Sequence, residues 1–468
     1  MITKMRKILN ILFVLTLIVA AVGCATLGLK SNGSLKPYKT SKLDNGLNIL
    51  YVNDEKLPYI STSLVIMSGF AADPKDQTGL TAAALELLNK GTLTKSAEQI
   101  AAEIEQMGAE YDANITADYS MISLDGLAWQ EDKILSILSE LILKPKFDDQ
   151  EINRYKSRTL AVVQQRLDQV SYLASEIFES FYYKNHPYGH RDIGTMADIK
   201  KLNKTSIQNQ FGMIARPNNT WLVVVGKYSG DIEDRIEKYF GGWKNQAVAQ
   251  TQYPAIEAFQ GRKILLVNKP DAAQAEIRIG HKGTDRRDPA HVATTIANSI
   301  LGQGFTSRLV DRIRDQLGLT YSISSSTDFR LQGSVFEIRT FTQSPKVGQT
   351  ISEVLKVYDD FHKNGITDTE LKTAQKYMIG VFPSLVETAE KTAYNLIILR
   401  IFGVADDYLL DYQKNIAKAT LAEVNSSIQK NYDPSNLKVV IVAPKDKVLS
   451  QLKSLGEVEV VEASTFLK

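Results

Sequence analysis

The sequence is poor in cysteine and carries little net charge. Cys24 is the single cysteine among 468 residues, so no disulfide can form within the chain. A net charge of +2 offers no electrostatic footprint for nucleic acid. Beyond residue 24, no apolar run is long enough to span a membrane. What is present, 44% hydrophobic and 23% charged residues, is the composition of an ordinary globular protein.

The N-terminal residues have the pattern of a secretory signal. Three basic residues fall within the first seven, and residues 11–22 are apolar apart from one threonine. The residues before Cys24 resemble a bacterial lipoprotein box, which predicts a signal peptide over 1–23, a lipid on Cys24 and a tether over 24–36. Ordinary signal cleavage after Ala25 is the alternative. Because alanine rather than aspartate follows the cysteine, we expect an anchor in the outer membrane that faces the periplasm.

Internal repetition indicates a duplicated chain. Leu50-Tyr51-Val52-Asn53 recurs as Leu265-Leu266-Val267-Asn268, at an offset of 215 (265 − 50). The stretch over residues 217–225 recurs over 434–442, at an offset of 217 (434 − 217). Two matches at nearly one offset predict two homologous halves.

Each half has the same order of sequence patterns. Alternating apolar residues predict strands at 60–66 and 275–280, long helical stretches follow, and a β-branched strand closes each half. This order predicts an α+β fold with a mainly antiparallel sheet in each half. We expect the domains to cover 37–244 and 261–468, joined by a polar linker over 245–260.

One segment rich in alanine and leucine, residues 79–92, reads GLTAAALELLNKGT. It resembles the metal-binding segment of the pitrilysin/insulinase (M16) metallopeptidases, where His-x-x-Glu-His stands between Gly-Leu and Lys-Gly-Thr. Aligned without gaps, Ala82 and Glu86 fall on the two histidines, and Leu85 falls on the general-base glutamate. Two histidines four apart share a helix face and can bind one zinc ion, whereas a methyl group cannot. The resemblance therefore implies a degenerate zinc motif.

The remaining motifs of the N-terminal half fit the same family. Its third zinc ligand is a glutamate in a long helix, and here that region carries Gln164 and Gln165, which are poor ligands. The segment His186-Pro187-Tyr188-Gly189 is similar to another signature of the family. His186 and His190 are four apart, but the proline and glycine between them break any helix that could align two metal ligands.

The C-terminal half carries a glycine-rich turn followed by an arginine and a tyrosine. Residues 301–309 read LGQGFTSRL, and Arg314 precedes Tyr321 by seven positions (321 − 314). This arrangement resembles the substrate-gripping segment of M16 C-terminal domains, which implies that Arg314 and Tyr321 bind a peptide and polarise its scissile carbonyl. Both side chains can donate hydrogen bonds to a carbonyl or an oxyanion. The turn lacks the Gly-Lys-Ser/Thr of a P-loop, so a nucleotide site is not expected.

Together these motifs are similar to the non-catalytic, M16B-type subunits of two-chain peptidases, which lack the zinc motif and supply the arginine and tyrosine. The resemblance implies two LuxS/metallopeptidase-like halves that face each other across a cleft. It also implies a heterodimer with a catalytic M16 subunit, a peptide or unfolded protein as substrate, and zinc in the partner only, with no cofactor in this chain.

A different class of function stays open. The cleft can instead belong to a non-enzymatic, lipid-anchored peptide-binding or scaffold protein of the cell envelope. A hydrolase that uses another catalytic group has little support, because no Ser/His/Asp or paired-carboxylate arrangement is visible from spacing.

Overall fold

The computed structural model describes residues 35–247 and 252–467 of the chain. The predicted signal segment, Cys24 and most of the predicted tether lie outside these residues. Inside the described ranges, no helix has the combination of length and hydropathy that crossing a bilayer requires.

The first half alternates short strands with longer helices. Its strands are β1 (Tyr38–Lys42), β2 (Asn48–Asn53), β3 (Tyr59–Ile66), β4 (Glu110–Ile115), β5 (Ser120–Leu127) and β6 (Thr220–Gly226). Its helices are α1 (Leu80–Leu87), α2 (Ala97–Gln106), α3 (Glu131–Leu143), α4 (Asp149–Asp168), α5 (Val170–Tyr183), α6 (Met196–Lys201), α7 (Lys204–Ile214) and α8 (Ile232–Phe240). Burial alternates along β5, as expected of a strand with one face in a core.

The second half repeats this plan. Its strands are β7 (Lys263–Asn268), β8 (Ala275–Lys282), β9 (Ile323–Asp328), β10 (Val335–Thr342), β11 (Lys438–Ala443) and β12 (Val458–Glu462). Its helices are α9 (His291–Asn298), α10 (Val347–Asn364), α11 (Asp368–Val386), α12 (Ala389–Ile401), α13 (Asp407–Leu410), α14 (Tyr412–Lys418), α15 (Leu421–Asn431) and α16 (Lys445–Leu452). Two π-helical turns, Ser299–Gln303 and Val310–Gln316, follow α9.

The two sheets have matching strand orders, β1-β2-β6-β3-β5-β4 and β12-β7-β11-β8-β10-β9. Most neighbours are antiparallel, while β6 runs parallel to β2 and β7 runs parallel to both β11 and β12. The sheets differ at one edge, where β1 is antiparallel to β2 but β12 is parallel to β7. The predicted α+β fold with two homologous halves is therefore confirmed, and each sheet is mixed.

Each half covers the other half's sheet with one helix. Helix α5 packs on β8 and β11, and α12 packs on β2 and β6. Leu396 of α12 lies in one buried cluster with Val223, while Phe178 of α5 lies in another with Val440. The two halves thus interlock, and the cleft between them is enclosed by α5, α12 and the loops beside them.

Candidate functional site

Two glycines bring the start of α1 against the loop before α6. Gly79 has φ of +86°, and a Cβ there would stand 2.4 Å from the carbonyl oxygen of Ile193. Gly194 has φ of +84°, and a Cβ there would stand 2.3 Å from the carbonyl oxygen of Thr78. Only glycine allows this backbone conformation and this close approach without strain. Gly79, at the start of the motif segment, and Gly194 are therefore two sides of one packing contact.

A buried aspartate that the sequence did not single out caps α1. The Asp73 carboxylate accepts hydrogen bonds from the backbone N–H groups of Gly79 (2.7 Å) and Thr81 (2.9 Å), and from the Thr81 hydroxyl (2.5 Å). Gln210 donates to the same hydroxyl at 3.0 Å. Burial raises the pKa of Asp73, and these donors oppose that rise. Asp73 fixes the start of the helix on which the family carries its zinc ligands.

The residues at the zinc-ligand positions cannot form a zinc site. Ala82 and Leu85 are buried in the core and carry no ligand atom. The Glu86 carboxylate points outward and forms an ion pair with Arg158 of α4. Gln164 and Gln165 lie on α4 and are exposed.

No other group of residues replaces this site in the described part of the chain. There, no three His, Cys, Asp or Glu side chains come close enough together to hold a metal ion. His186, one of the two histidines four apart, is buried and accepts a hydrogen bond from the Tyr188 N–H at 3.1 Å through Nδ1. This contact caps the turn at Pro187 and leaves the imidazole in a structural role.

Arg314 and Tyr321 lie on the surface, next to an exposed phenylalanine. Arg314 belongs to the π-helical turn Val310–Gln316, a distortion that is often found at functional sites. Its guanidinium stands 4.4 Å above the ring of Phe305 and donates to Asp315 at 2.8 Å. Tyr321 is 85% exposed, and it contributes after Asp315 to a raised pKa of Arg314. The arginine and the tyrosine therefore lie on the same surface, close enough for an electrostatic interaction.

Neighbouring residues of the same signature hold this segment in place. Arg308 donates to both carboxylate oxygens of Glu370 on α11 (2.7 and 2.9 Å) and to the Gly365 carbonyl (2.8 Å). Arg312 donates to Glu353 of α10 at 3.0 Å. These partly buried contacts, of which the Arg308–Glu370 pair is bidentate, anchor the turn on which Arg314 lies.

The cleft between the halves is a separate feature. It is a cavity of about 520 Å³ lined by the β4–β5 turn, α5, the turn between β9 and β10, and α12. Among the described residues, those that line this cavity do not include Ala82, Glu86, Arg314 or Tyr321. The predicted zinc-motif and arginine–tyrosine positions thus do not share this cavity.

Tyr188 joins the halves at the rim of the cavity. Its hydroxyl donates to Asp118 and accepts from the backbone N–H of Gln332 at 3.0 Å. Asp118 also accepts from the N–H of Leu331 at 3.0 Å. The His-Pro-Tyr-Gly signature, which the sequence pointed to without a role, fastens the turn between β9 and β10 to the first half.

Comparisons with known proteins agree with this reading of the motifs. The profile described as insulinase (Peptidase family M16) matches residues 48–195, and the profile described as Peptidase M16 inactive domain matches 201–378. The chain belongs to the M16 insulinase family. Within it, the chain is an inactive homologue, with Ala82, Leu85 and Glu86 at the positions of the zinc motif.

Similar proteins span most of the chain. A Helicobacter pylori protein named non-peptidase homolog YmxG is 26% identical over 85% of this chain and 92% of its own length. A Bacillus subtilis protein named uncharacterized zinc protease YmxG is 22% identical over 75% of this chain and 85% of its own.

Solved structures agree on the fold. The structure of a peptidase M16 inactive domain from Pseudomonas fluorescens has a TM-score of 0.81 at 23% identity, covering 87% of this chain and 98% of that one. The structure of a protease from Helicobacter pylori also has a TM-score of 0.81, at 20% identity, and covers 88% of this chain and 100% of its own.

Proposed function

We propose that this M16 homologue is the substrate-binding, non-catalytic subunit of a heteromeric zinc peptidase in the bacterial cell envelope. One contrast carries the proposal. The helix that corresponds to the zinc motif carries Ala82 and an ion-paired Glu86 in place of its ligands, while Tyr321 is exposed and Arg314 is partly exposed. Two exposed aromatic side chains and a partly exposed arginine are groups that a bound peptide can contact.

The chemistry of this group suits an extended peptide. The Tyr321 hydroxyl and the Arg314 guanidinium can each donate a hydrogen bond to a peptide carbonyl, and Phe305 offers an apolar face beside them. The Asp315 carboxylate is exposed and solvated, so it competes only weakly for the guanidinium. In a transition state, the same donors would stabilise the developing oxyanion.

The partner has to supply the zinc ligands and the general base that this chain lacks. We expect a catalytic M16 subunit with an intact His-x-x-Glu-His motif, which binds the zinc and supplies the general base. The lipid on Cys24 would hold the complex at the outer membrane, facing the periplasm. This chain alone would then bind peptide without cleaving it.

The test uses the full mature chain mixed with an M16 chain that has the intact zinc motif and is encoded beside it. Tyr321→Phe deletes one hydroxyl and keeps the ring, and Arg314→Ala deletes the cation. We expect each to lower kcat by about 10²-fold without weakening the complex, because such donors act chiefly in the transition state. Tyr377→Phe, at another exposed tyrosine, is the matched control and should have no effect.

Two results would speak against the proposal. An unchanged kcat for both variants in a stoichiometric complex would favour the alternative, a non-enzymatic peptide-binding or scaffold protein. About one zinc per purified chain, with chelator-sensitive hydrolysis in the absence of a partner, would show that the chain is itself a peptidase.

A further inference from the structure

Arg286 is a cation without a counterion in the cavity between the halves. It lies in the loop between β8 and α9, and its Nε is buried without a hydrogen-bond partner. Within residues 35–247 and 252–467, no carboxylate forms an ion pair with it. Its guanidinium stands 5.4 Å from the ring of Phe329 and 5.7 Å from that of Phe402. Burial lowers the pKa of Arg286, and the hydroxyls of Tyr408 and Tyr394 oppose this lowering.

The other two arginines that line the cavity are paired. Arg191 forms an ion pair with Glu176 at 3.0 Å. Arg330 forms ion pairs with Glu179 at 3.0 Å and with Asp328 at 2.8 Å. Arg286 therefore differs from both in having no acidic partner.

The carboxylates that line the cavity have their own partners as well. Asp192 pairs with Arg166 at 2.8 Å, and Asp118 accepts from Tyr188 and from the Leu331 N–H. The remaining carboxylates of the lining are Glu176, which pairs with Arg191, and Glu179 and Asp328, which pair with Arg330. None of them forms an ion pair with Arg286, so no described carboxylate offsets its desolvation, and the rings of Phe329 and Phe402 offset it only in part.

These features indicate what kind of group would bind. A guanidinium that is partly desolvated prefers a planar, bidentate acceptor, and a carboxylate matches its fork geometry. Arg286 stands among five carboxylates, which repel a dianion such as phosphate more strongly than a singly charged carboxylate. Phe70, Phe329, Ile398 and Phe402 add apolar walls around it. A volume of about 520 Å³ lies within the range of small-ligand pockets.

We propose that the cavity between the halves is a subsite for a carboxylate of a bound peptide, with Arg286 as its cation and the neighbouring rings as its apolar walls. The carboxylate can be the peptide's C-terminus or the side chain of an aspartate or glutamate. The assignment rests on the proposed function only in taking the ligand to be a peptide. It does not involve Arg314, Tyr321 or a catalytic partner.

The experiment measures binding to the full mature chain alone by calorimetry. Three probes share one backbone: N-acetyl-Leu-Phe-Phe as the free acid, the same peptide as its C-terminal amide, and N-acetyl-Leu-Phe-Glu-amide. We expect the free acid, the glutamyl amide or both to bind at least ten-fold more tightly than the uncharged amide. Free acid alone identifies the C-terminus as the recognised group, and the glutamyl amide alone identifies the side chain.

Arg286→Met removes the cation and keeps most of the side-chain volume. We expect it to abolish the preference for the charged peptides at an unchanged or higher Tm, since it removes an unpaired buried charge. Arg287→Met, at an exposed neighbour that pairs with Asp285 and does not line the cavity, is the matched control and should bind like the wild type.

Two results would overturn the assignment. One is binding of the uncharged amide as tightly as both charged peptides, and the other is an undiminished preference for them in Arg286→Met. A chain that binds the charged peptides but does not stimulate any partner would keep this subsite and refute the proposed function. If Arg314→Ala lowers the partner's turnover but the chain alone shows no preference for a carboxylate, the proposed function is kept and this subsite is refuted.

Discussion

Replacing Arg330 by methionine should weaken the contact between the two halves. Arg330 lies in the turn between β9 and β10, and its side chain is 8% exposed. Its guanidinium forms ion pairs with Glu179 on α5 and with Asp328, and it donates to the Tyr188 carbonyl at 3.0 Å. One side chain of the second half thus satisfies two groups of the first half, and methionine can satisfy neither.

The magnitude follows from what the substitution leaves behind. Removing one partner of a buried ion pair costs about 3–5 kcal/mol, chiefly because the other charge stays buried and unpaired. Glu179 keeps 31% of its side chain exposed, and Asp328 keeps 47%, so water can solvate part of the remaining charge. We therefore expect Arg330→Met to lower the free energy of unfolding by about 3 kcal/mol, at the low end of that range. Adding Glu179→Gln removes the unpaired charge and should recover about 1–2 kcal/mol.

Urea unfolding followed by both tryptophan fluorescence and circular dichroism measures these changes, and coincident transitions establish that a two-state analysis is valid. Arg287→Met is the control, because Arg287 and Asp285 are both about half exposed, and we expect a change within about 0.5 kcal/mol. A loss below about 1 kcal/mol for Arg330→Met, or a double variant as unstable as the sum of its singles, would refute the reasoning.

Two further predictions concern a buried histidine and the anchor. His281 is buried between Tyr358 and the Lys282 carbonyl, and burial lowers its pKa to about 4, against 6.5 in the unfolded chain. Unfolding therefore takes up a proton between these values, and about 3 kcal/mol of stability should be lost as the pH falls from 6.5 to 4. His281→Gln should flatten the dependence of unfolding free energy on pH in urea titrations, and an unchanged slope would contradict this. Cys24→Ser should abolish fatty-acid labelling and leave an unprocessed precursor; equal labelling of wild type and variant would rule out Cys24 as the lipid site.

Local patterns predicted the repeated parts of the fold. The matches at offsets of 215 and 217 correspond to β2 with β7 and to β6 with β11. Alternation at 60–66 and 275–280 predicted β3 and β8, although in the fold β8 is buried along nearly its whole length because α5 covers its second face. These strands can be predicted from the sequence because each depends on a pattern of apolar residues only a few positions long.

Long-range contacts left no local signal. Helices α5 and α12 each have a buried apolar face that could have covered their own sheet, and nothing in their periodicity shows that they exchange partners. In the sequence, Asp73 is an ordinary loop aspartate, and only the fold places four hydrogen-bond donors around it. In the same way, only the fold shows that the loop residue Arg286 has no acidic partner among the described residues. Within the predicted linker, Ile256 and Phe259 pack against the core.

The exchange of α5 and α12 limits how the proposed complex can work. Separating the halves would expose the sheet faces that hold Val223 and Val440, together with Phe178 and Leu396 that cover them. Burying one such side chain contributes about 1.5–3 kcal/mol, so a hinge that opened this contact would cost more than a peptide in the cleft could return. The cavity is then preformed, and a catalytic partner has to meet this chain at its outer surface, where Tyr321 is exposed.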